Sequence, residues 1–161
     1  MPNIHPTAVV SPKAEIDTDV KIGPYSVIED HVVIQSGTEI GPLCVLHPFV
    51  KLGVNNQVHA QVVLGGLPQD ISFAGEETWG EVGDQNIIRE NCTINRSTDP
   101  NIPTRIGSNC FLMSYSHIAH DCQLGNEIVL TTHVALGGHT VIGDKANLGG
   151  HVGVHQFVRI G

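Results

Sequence analysis

The sequence predicts an all-β fold, a parallel β-helix in which three short strands make one coil of 18 residues. Three observations predict it. An aliphatic residue recurs every six positions, the place after it is often glycine, and the fifth place of each hexad is small or β-branched. A helix, with its period of about 3.6 residues, cannot sustain a six-residue repeat, and a plain strand period of about 2 does not require one. Coils stacked at about 4.8 Å set like residues above one another inside. Coil-to-coil hydrogen bonds then satisfy the backbone.

The first run of hexads carries Ile4, Val10, Ile16, Ile22, Ile28, Ile34, Ile40, Leu46, Leu52, Val58 and Leu64. A loop over Asp70–Glu81 interrupts it. Val82, Ile88 and Ile94 resume the count, and a second loop over Pro100–Arg105 breaks it again. Ile106, Leu112, Ile118, Leu124, Leu130, Leu136, Ile142, Leu148, Val154 and Ile160 complete it, so all 24 positions are Ile, Leu or Val. Glycine follows the aliphatic at positions such as Gly23, Gly41, Gly53, Gly83, Gly107 and Gly125. There it is expected to supply the unusual backbone angles of a tight corner. The fifth places, among them Ala8, Ser26, Thr38, Val62, Thr98, Ser116, Val134 and Thr140, suit a narrow interior. Solenoids eject insertions as loops, often on the binding side. Three hexads to a coil put both loops on one corner. Residues 1–161 thus read as one β-helical domain with loops at 70–81 and 100–105. The hexads stop two residues into a repeat, which reads as a solenoid cut in mid-coil, because solenoids carry caps.

Composition narrows the function classes. Charged residues are 15% and aromatics 4%, so the core rests on aliphatic and small side chains. The net charge of -8, from 8 Lys+Arg against 16 Asp+Glu, argues against a general nucleic-acid binder. No apolar run approaches the roughly 20 residues of a membrane span. The N-terminal Met1-Pro2-Asn3-Ile4-His5 lacks the charged and apolar regions of a signal peptide, so a soluble, cytoplasmic protein is expected. Cys44, Cys92, Cys110 and Cys122 all take the fifth, inward place and show no CxxC spacing. They read as small core hydrophobes, with neither a disulfide nor zinc expected.

The histidines crowd into the C-terminal half. Stepping by one coil sets Gly138 above His120 and Gln156 above Gly138. It sets His139 above Asp121, and His155 two coils above Ala119. His120, Asp121, Gly138, His139, His155 and Gln156 therefore form one patch roughly 10 Å tall, with Asn95 and Arg96 at its foot. A histidine suits general-base work near neutral pH, and a carboxylate beside it fixes its tautomer. A glycine N–H one coil away can steady a developing oxyanion. No serine or cysteine nucleophile stands beside these groups, so the economical chemistry is direct transfer to an incoming hydroxyl. His133 and His151, 18 apart, read as a stacked surface pair without a role.

The hexads resemble those of the hexapeptide-repeat acyltransferases, whose coils wind left-handed and whose members are usually homotrimers with active sites between subunits. Within that superfamily the chain is similar to the acyl-carrier-protein–UDP-N-acetylglucosamine O-acyltransferases. The stretches that carry the likeness are Ile4-His5-Pro6-Thr7-Ala8, Gln69-Asp70-Ile71-Ser72-Phe73-Ala74-Gly75-Glu76, Ile88-Arg89-Glu90, His117-Ile118-Ala119-His120-Asp121-Cys122 and Val154-His155-Gln156-Phe157. The resemblance implies transfer of a 3-hydroxyacyl group from acyl carrier protein to the 3-hydroxyl of UDP-N-acetylglucosamine, the first step of lipid A synthesis, with no cofactor. It implies His120 as general base with Asp121 behind it, and Gly138 as the backbone donor to the tetrahedral intermediate. His117, His139, His155 and Gln156 match substrate-binding positions, and Asp70 matches a sugar-contacting carboxylate that reaches a neighbouring subunit's site. The chain departs from the family pattern at Ser72, where lysine is usual, and at Asn95, where histidine is common. The family's C-terminal coils and helical domain have no counterpart in the sequence.

Two other readings compete. In a trimeric zinc enzyme resembling γ-class carbonic anhydrase, His117, His120 and His139 would supply ligands. A truncated, non-catalytic β-helical scaffold would show the same patch without turnover.

Overall fold

Each hexad makes one strand and one corner, because two extended residues are all that fit between successive bends. A computed structural model describes residues 1–161. It contains 24 short parallel strands, and each carries one of the hexad aliphatics at or near its end. The strands form three eight-stranded sheets, in each of which every third strand along the chain is paired. The register is Asn3 to Lys21 and Ile4 to Ile22 in the first sheet, a step of one 18-residue coil. The architecture is a left-handed parallel β-helix. No helix is long and apolar enough to cross a membrane.

The aliphatic ladder fills the prism. Ile28, Leu46, Leu64, Ile94, Ile118, Leu136 and Val154 are buried one above another along the second sheet. All four cysteines are buried and free. Burial pushes the Cys92 and Cys122 thiols up to about 11. The fifth place also admits two amides, Asn56 and Asn86, which the small-residue pattern did not include. Asn56 donates to the Gly53 and Gly83 carbonyls and accepts from both the Asn86 backbone and its amide. Asn86 accepts in turn from the Cys110 N–H at 2.8 Å. A rung of amide hydrogen bonds thus replaces an apolar rung, with every group paired.

The corners correct the sequence reading of glycine. The left-handed angle falls two residues later, on the third residue after the aliphatic, and it is carried mainly by residues with side chains, from Tyr25 (φ 58) to Phe157 (φ 63). Asn, Asp and His tolerate that region better than most. They hold it at Asn55, Asn91, Asn109, Asp121, His133, His139 and His151. Gly65, after Leu64, does take such an angle (φ 75), but most of the other glycines after the aliphatics answer a different need, close stacking. A Cβ on Gly83 would lie 2.7 Å from the Gly107 carbonyl oxygen, and one on Gly41 would lie 2.9 Å from the Val58 oxygen. The clashing atoms are the backbone of the next coil, which cannot move aside without breaking its own ladder.

Both insertions leave the same corner, between the second and third sheets. Their bounds are shifted from those the hexad count suggests. The first runs from Leu67 to Trp79, because Glu81 pairs with Lys51 and Arg105 inside a strand. The second runs from Arg96 to Pro103, because Thr104 and Arg105 already pair with Gly80 and Glu81. Thr104 also takes the buried fifth place that the count gave to Thr98. The count restarts from the strand that follows the insertion, so Thr98 is released to the corner. His133 and His151 do stack, with ring centroids 4.9 Å apart, and Tyr115 extends the column below them.

Stacking contact makes a specific demand on sequence. Gly83→Ala is expected to lower stability by about 2 kcal/mol through overpacking. Gly149→Ala, where a Cβ meets nothing within 4 Å, is expected to stay within about 0.5 kcal/mol. Urea unfolding midpoints of the two variants check the contrast.

Candidate functional site

The second sheet stacks Thr93, His117, Ala135 and Gly153 in register. The corner that follows these strands therefore stacks as well. His120 sits below Gly138 and Gln156, while Asp121 sits below His139 and Phe157. Coil-to-coil bonds lock the levels: the His139 N–H donates to the His120 carbonyl, and the Phe157 N–H to the Gly138 carbonyl, each at 3.1 Å. The two ejected loops flank this corner and close its lower side.

His120 is 4% exposed. Its Nδ1 lies 2.7 Å from Asp121 Oδ2. Asp121 also accepts the Thr98 N–H at 2.9 Å and the Thr98 hydroxyl at 2.8 Å, and His139 Nε2 lies 3.5 Å away. Burial raises the Asp121 carboxyl, but the hydrogen bonds from His120 and Thr98 and the nearby His139 outweigh it and hold it below its ordinary value. A carboxylate only accepts hydrogen bonds. The His120 proton is therefore on Nδ1, and Nε2 carries the free lone pair of the neutral ring.

Nε2 faces the next coil. A Cβ on Gly138 would come within 2.8 Å of it and 2.6 Å from Cε1, so any other residue would cover the lone pair. The Gly138 N–H makes no hydrogen bond within the chain. A base and an unclaimed backbone donor thus stand one coil apart, beside a cavity of about 500 Å³ lined by Gln69, His117, His120, Gly138, His155 and Gln156. A slightly larger hollow of about 530 Å³ lies on the outer face of the first sheet. Its charged groups are already paired, Lys21 with Glu39 at 2.6 Å and His59 with Glu90 at 3.6 Å. Its histidines, His5 and His59, have no unclaimed backbone donor shown beside them, whereas the corner sets a buried base against one.

The remaining sequence candidates fall around this pair. His139 meets His120 edge-on at 5.3 Å and stacks on Phe157 at 4.7 Å. His155 and Gln156 are exposed on the rim of the cavity. His117 Nδ1 lies 2.7 Å from the Thr93 hydroxyl, and burial, with the charge of His120, lowers its pKa. Asp70 is half-buried on the first loop, where the Ser72 hydroxyl and N–H bind its Oδ1 at 2.6 and 2.8 Å. Those bonds hold its carboxyl below the usual range, and the His120 and His139 charges add to the effect.

Sequence reasoning missed Gln69, Thr93, Thr98 and Thr104. Thr104 receives the Asp121 N–H at 2.8 Å, so Asp121 is gripped both by Thr98 in the second loop and by the first residue of the strand that follows it. Only the position of that loop, one coil below the histidines, could have signalled this. The ligand set suggested for zinc is also rearranged. The atoms within 4.8 Å of one another belong to His120, Asp121 and His139, while His117 Nδ1 is turned to Thr93.

No protein-family model matches the chain. It is 53% identical over 160 residues to the acyl-[acyl-carrier-protein]–UDP-N-acetylglucosamine O-acyltransferase of Herminiimonas arsenicoxydans, covering 98% of this chain and 61% of the relative. It is 50% identical over 163 residues to the protein of the same name from Thiobacillus denitrificans, covering 100% of this chain and 63% of that one. The structure of LpxA from Acinetobacter baumannii superposes with a TM-score of 0.95 at 41% identity, over 97% of this chain and 61% of the other. The Moraxella catarrhalis UDP-N-acetylglucosamine O-acyltransferase gives 0.96 at 42%, over 98% and 62%. The chain thus spans about three fifths of the length of the curated relatives it matches.

The His120–Asp121 geometry has a pH consequence. Because the folded pKa of Asp121 is depressed, its contribution to stability is fully present above the unfolded value of about 3.9. It is lost as pH falls through the lower folded value. Acid unfolding of Asp121→Asn is expected to lack that component. In a histidine NMR titration, His117 is expected to titrate below the ordinary histidine value of about 6.5, and a normal midpoint would contradict its burial.

Proposed function

Because this chain carries the β-helical portion of the acyl-[acyl-carrier-protein]–UDP-N-acetylglucosamine O-acyltransferase family, we propose that it takes part in the same transfer. A 3-hydroxyacyl group moves from acyl carrier protein to the 3-hydroxyl of UDP-N-acetylglucosamine, the opening step of lipid A synthesis. The observation that carries the reading is the buried His120–Asp121 pair at 2.7 Å, whose free Nε2 stands against Gly138. His120 Nε2 takes the proton of the sugar hydroxyl as its oxygen attacks the acyl carbonyl. The Gly138 N–H receives the oxyanion that forms. Asp121 keeps the imidazolium in place. The carrier's leaving group then takes the proton back as the intermediate collapses, and no covalent enzyme intermediate is required.

His117, His139, His155, Gln156 and Asp70 bind the substrates in this reading. It needs no metal and no cofactor, and it is set in the cytoplasm. The homotrimer of the reading is supported by an outward stripe on the second sheet. Val9, Val27, Val45 and Val63 stack in register there, and Val9 is 63% exposed. Such a stripe suits association with a second copy of the chain. The net charge of -8 belongs to this portion alone and does not weigh against an acidic carrier protein.

A second reading has one specific observation behind it, the clustered ligand atoms of His120, Asp121 and His139. A zinc ion there would displace the proton from His120 Nδ1 and remove the base. Metal analysis of the purified protein separates the two, since stoichiometric zinc on these residues excludes the general-base role. The scaffold reading is separated by turnover.

The direct test is an assay with hydroxyacyl carrier protein and UDP-N-acetylglucosamine. It is run with this chain and with a form extended at the C-terminus. In the active form, His120→Ala is expected to lower turnover by about 10³-fold or more while the oligomer remains intact. Near-normal turnover in that variant would sink the base assignment.

A further inference from the structure

The cavity at His120 is completed by a loop that has no strand of its own. Leu67–Trp79 leaves the coil, contributes Gln69 to the cavity wall and returns at Gly80. Three consecutive residues pin both of its ends. The Asn95 amide donates to the Leu67 carbonyl at 2.9 Å, the Arg96 N–H to the Gly66 carbonyl at 3.0 Å and the Ser97 N–H to the Trp79 carbonyl at 3.2 Å.

The Arg96 side chain does something further. It sits one coil below His120, since Thr93 pairs with His117. The residue is 7% exposed and has no carboxylate partner. Its Nη1 reaches the Pro48 carbonyl only at 3.5 Å, and its Nε has no partner at all. What the guanidinium does have is two rings, Phe49 at 5.4 Å and Phe73 at 5.8 Å. Phe49 belongs to the coil and Phe73 to the loop. Burial lowers the Arg96 pKa, partly offset by Glu77, so the charge is held against a desolvation cost. The molecule's three unpartnered buried side-chain atoms are Thr78 Oγ1, near the end of this loop, and Asn95 Oδ1 and Arg96 Nε, on two of the residues that pin it. A cost concentrated in one place points to a function for that place.

From Phe73 the linkage continues to the site. The Phe73 N–H donates to the Asp70 carbonyl at 3.2 Å, and Ser72 binds Asp70 Oδ1 through its N–H and its hydroxyl. Residues 70–73 are therefore one hydrogen-bonded turn, and anchoring Phe73 anchors Asp70. We propose that Arg96 is a positioning residue: through its stack on Phe73 it holds the 70–73 turn, and with it the adjacent Gln69 in the wall of the His120 cavity, and so sets the affinity for the sugar nucleotide. The identity of that substrate rests on the acyl-transfer reading above, whereas the anchoring does not.

The test uses Arg96→Met, Phe73→Leu and the double variant. Methionine replaces an unpaired buried charge by an apolar chain, so the coil is expected to stay folded. Hydrogen exchange of residues 67–79 is expected to speed up by about tenfold in each single variant, with the coils unchanged. The KM for UDP-N-acetylglucosamine is expected to rise by about tenfold with kcat within about twofold. The double variant is expected to be no worse than the more affected single one, as for two partners in one contact. Arg96→Lys, which keeps a cation over the rings, is expected to recover part of the loss. Unchanged loop exchange in Arg96→Met overturns the proposal, as does a change absent from Phe73→Leu. So does faster exchange through all the coils, the mark of a merely structural role, or a loss confined to kcat. If the unaltered protein transfers no acyl group, the functional reading falls and the exchange measurement still decides the anchoring.

Discussion

Pairing between coils is the constraint on which everything else in this molecule depends. Most strands are two residues long, too short to hold themselves. Each finds its hydrogen-bond partners only in the coils above and below. A coil is therefore stable only if it repeats the path of its neighbour. That requirement fixes the 18-residue register and sets like residues in columns. It also explains the two unusual positions in the hexad. One must accept a left-handed backbone, and one must bring two backbones so close that glycine is required.

Columns turn a one-dimensional sequence into a site. Arg96, His120, Gly138 and Gln156 follow their strands at the same corner, as do Asp121 and His139. The chemistry comes from contrast between successive levels. Arg96 is a buried cation beneath, His120 a base held by Asp121, Gly138 an open backbone donor, and Gln156 a polar rim. A regular ladder alone would leave this corner exposed to water. The two insertions enclose its lower side, one by placing Gln69 on the cavity and the other by gripping Asp121 through Thr98, with Thr104 of the following strand holding the Asp121 N–H.

Much of this was legible in the residues because a period of six carries its own geometry. The aliphatic ladder, the inward cysteines, the stack of His133 on His151 and the grouping of His120, Asp121, Gly138, His139, His155 and Gln156 all follow from counting. Counting failed where the chain stops repeating. Across an insertion the number of residues no longer states the height, so the count puts Thr98 inside the prism although it binds Asp121. It likewise puts Glu81 and Thr104 in loops although they lie in strands. It failed also where two causes favour one residue type. Glycine at a corner suggested unusual angles, yet the atoms of the next coil are what exclude a side chain.

The sequence by itself determined the repeat, the three-strand coil and the vertical neighbours within each uninterrupted run of hexads, because a fixed period admits one way of stacking. It determined which residue types share the corner. Only the tertiary structure decided how they meet. The 2.7 Å contact that fixes the His120 tautomer, the closeness of Gly138 to Nε2 and the stacking of Arg96 on Phe73 depend on side-chain directions and on loop paths. Neither is periodic, so neither can be counted.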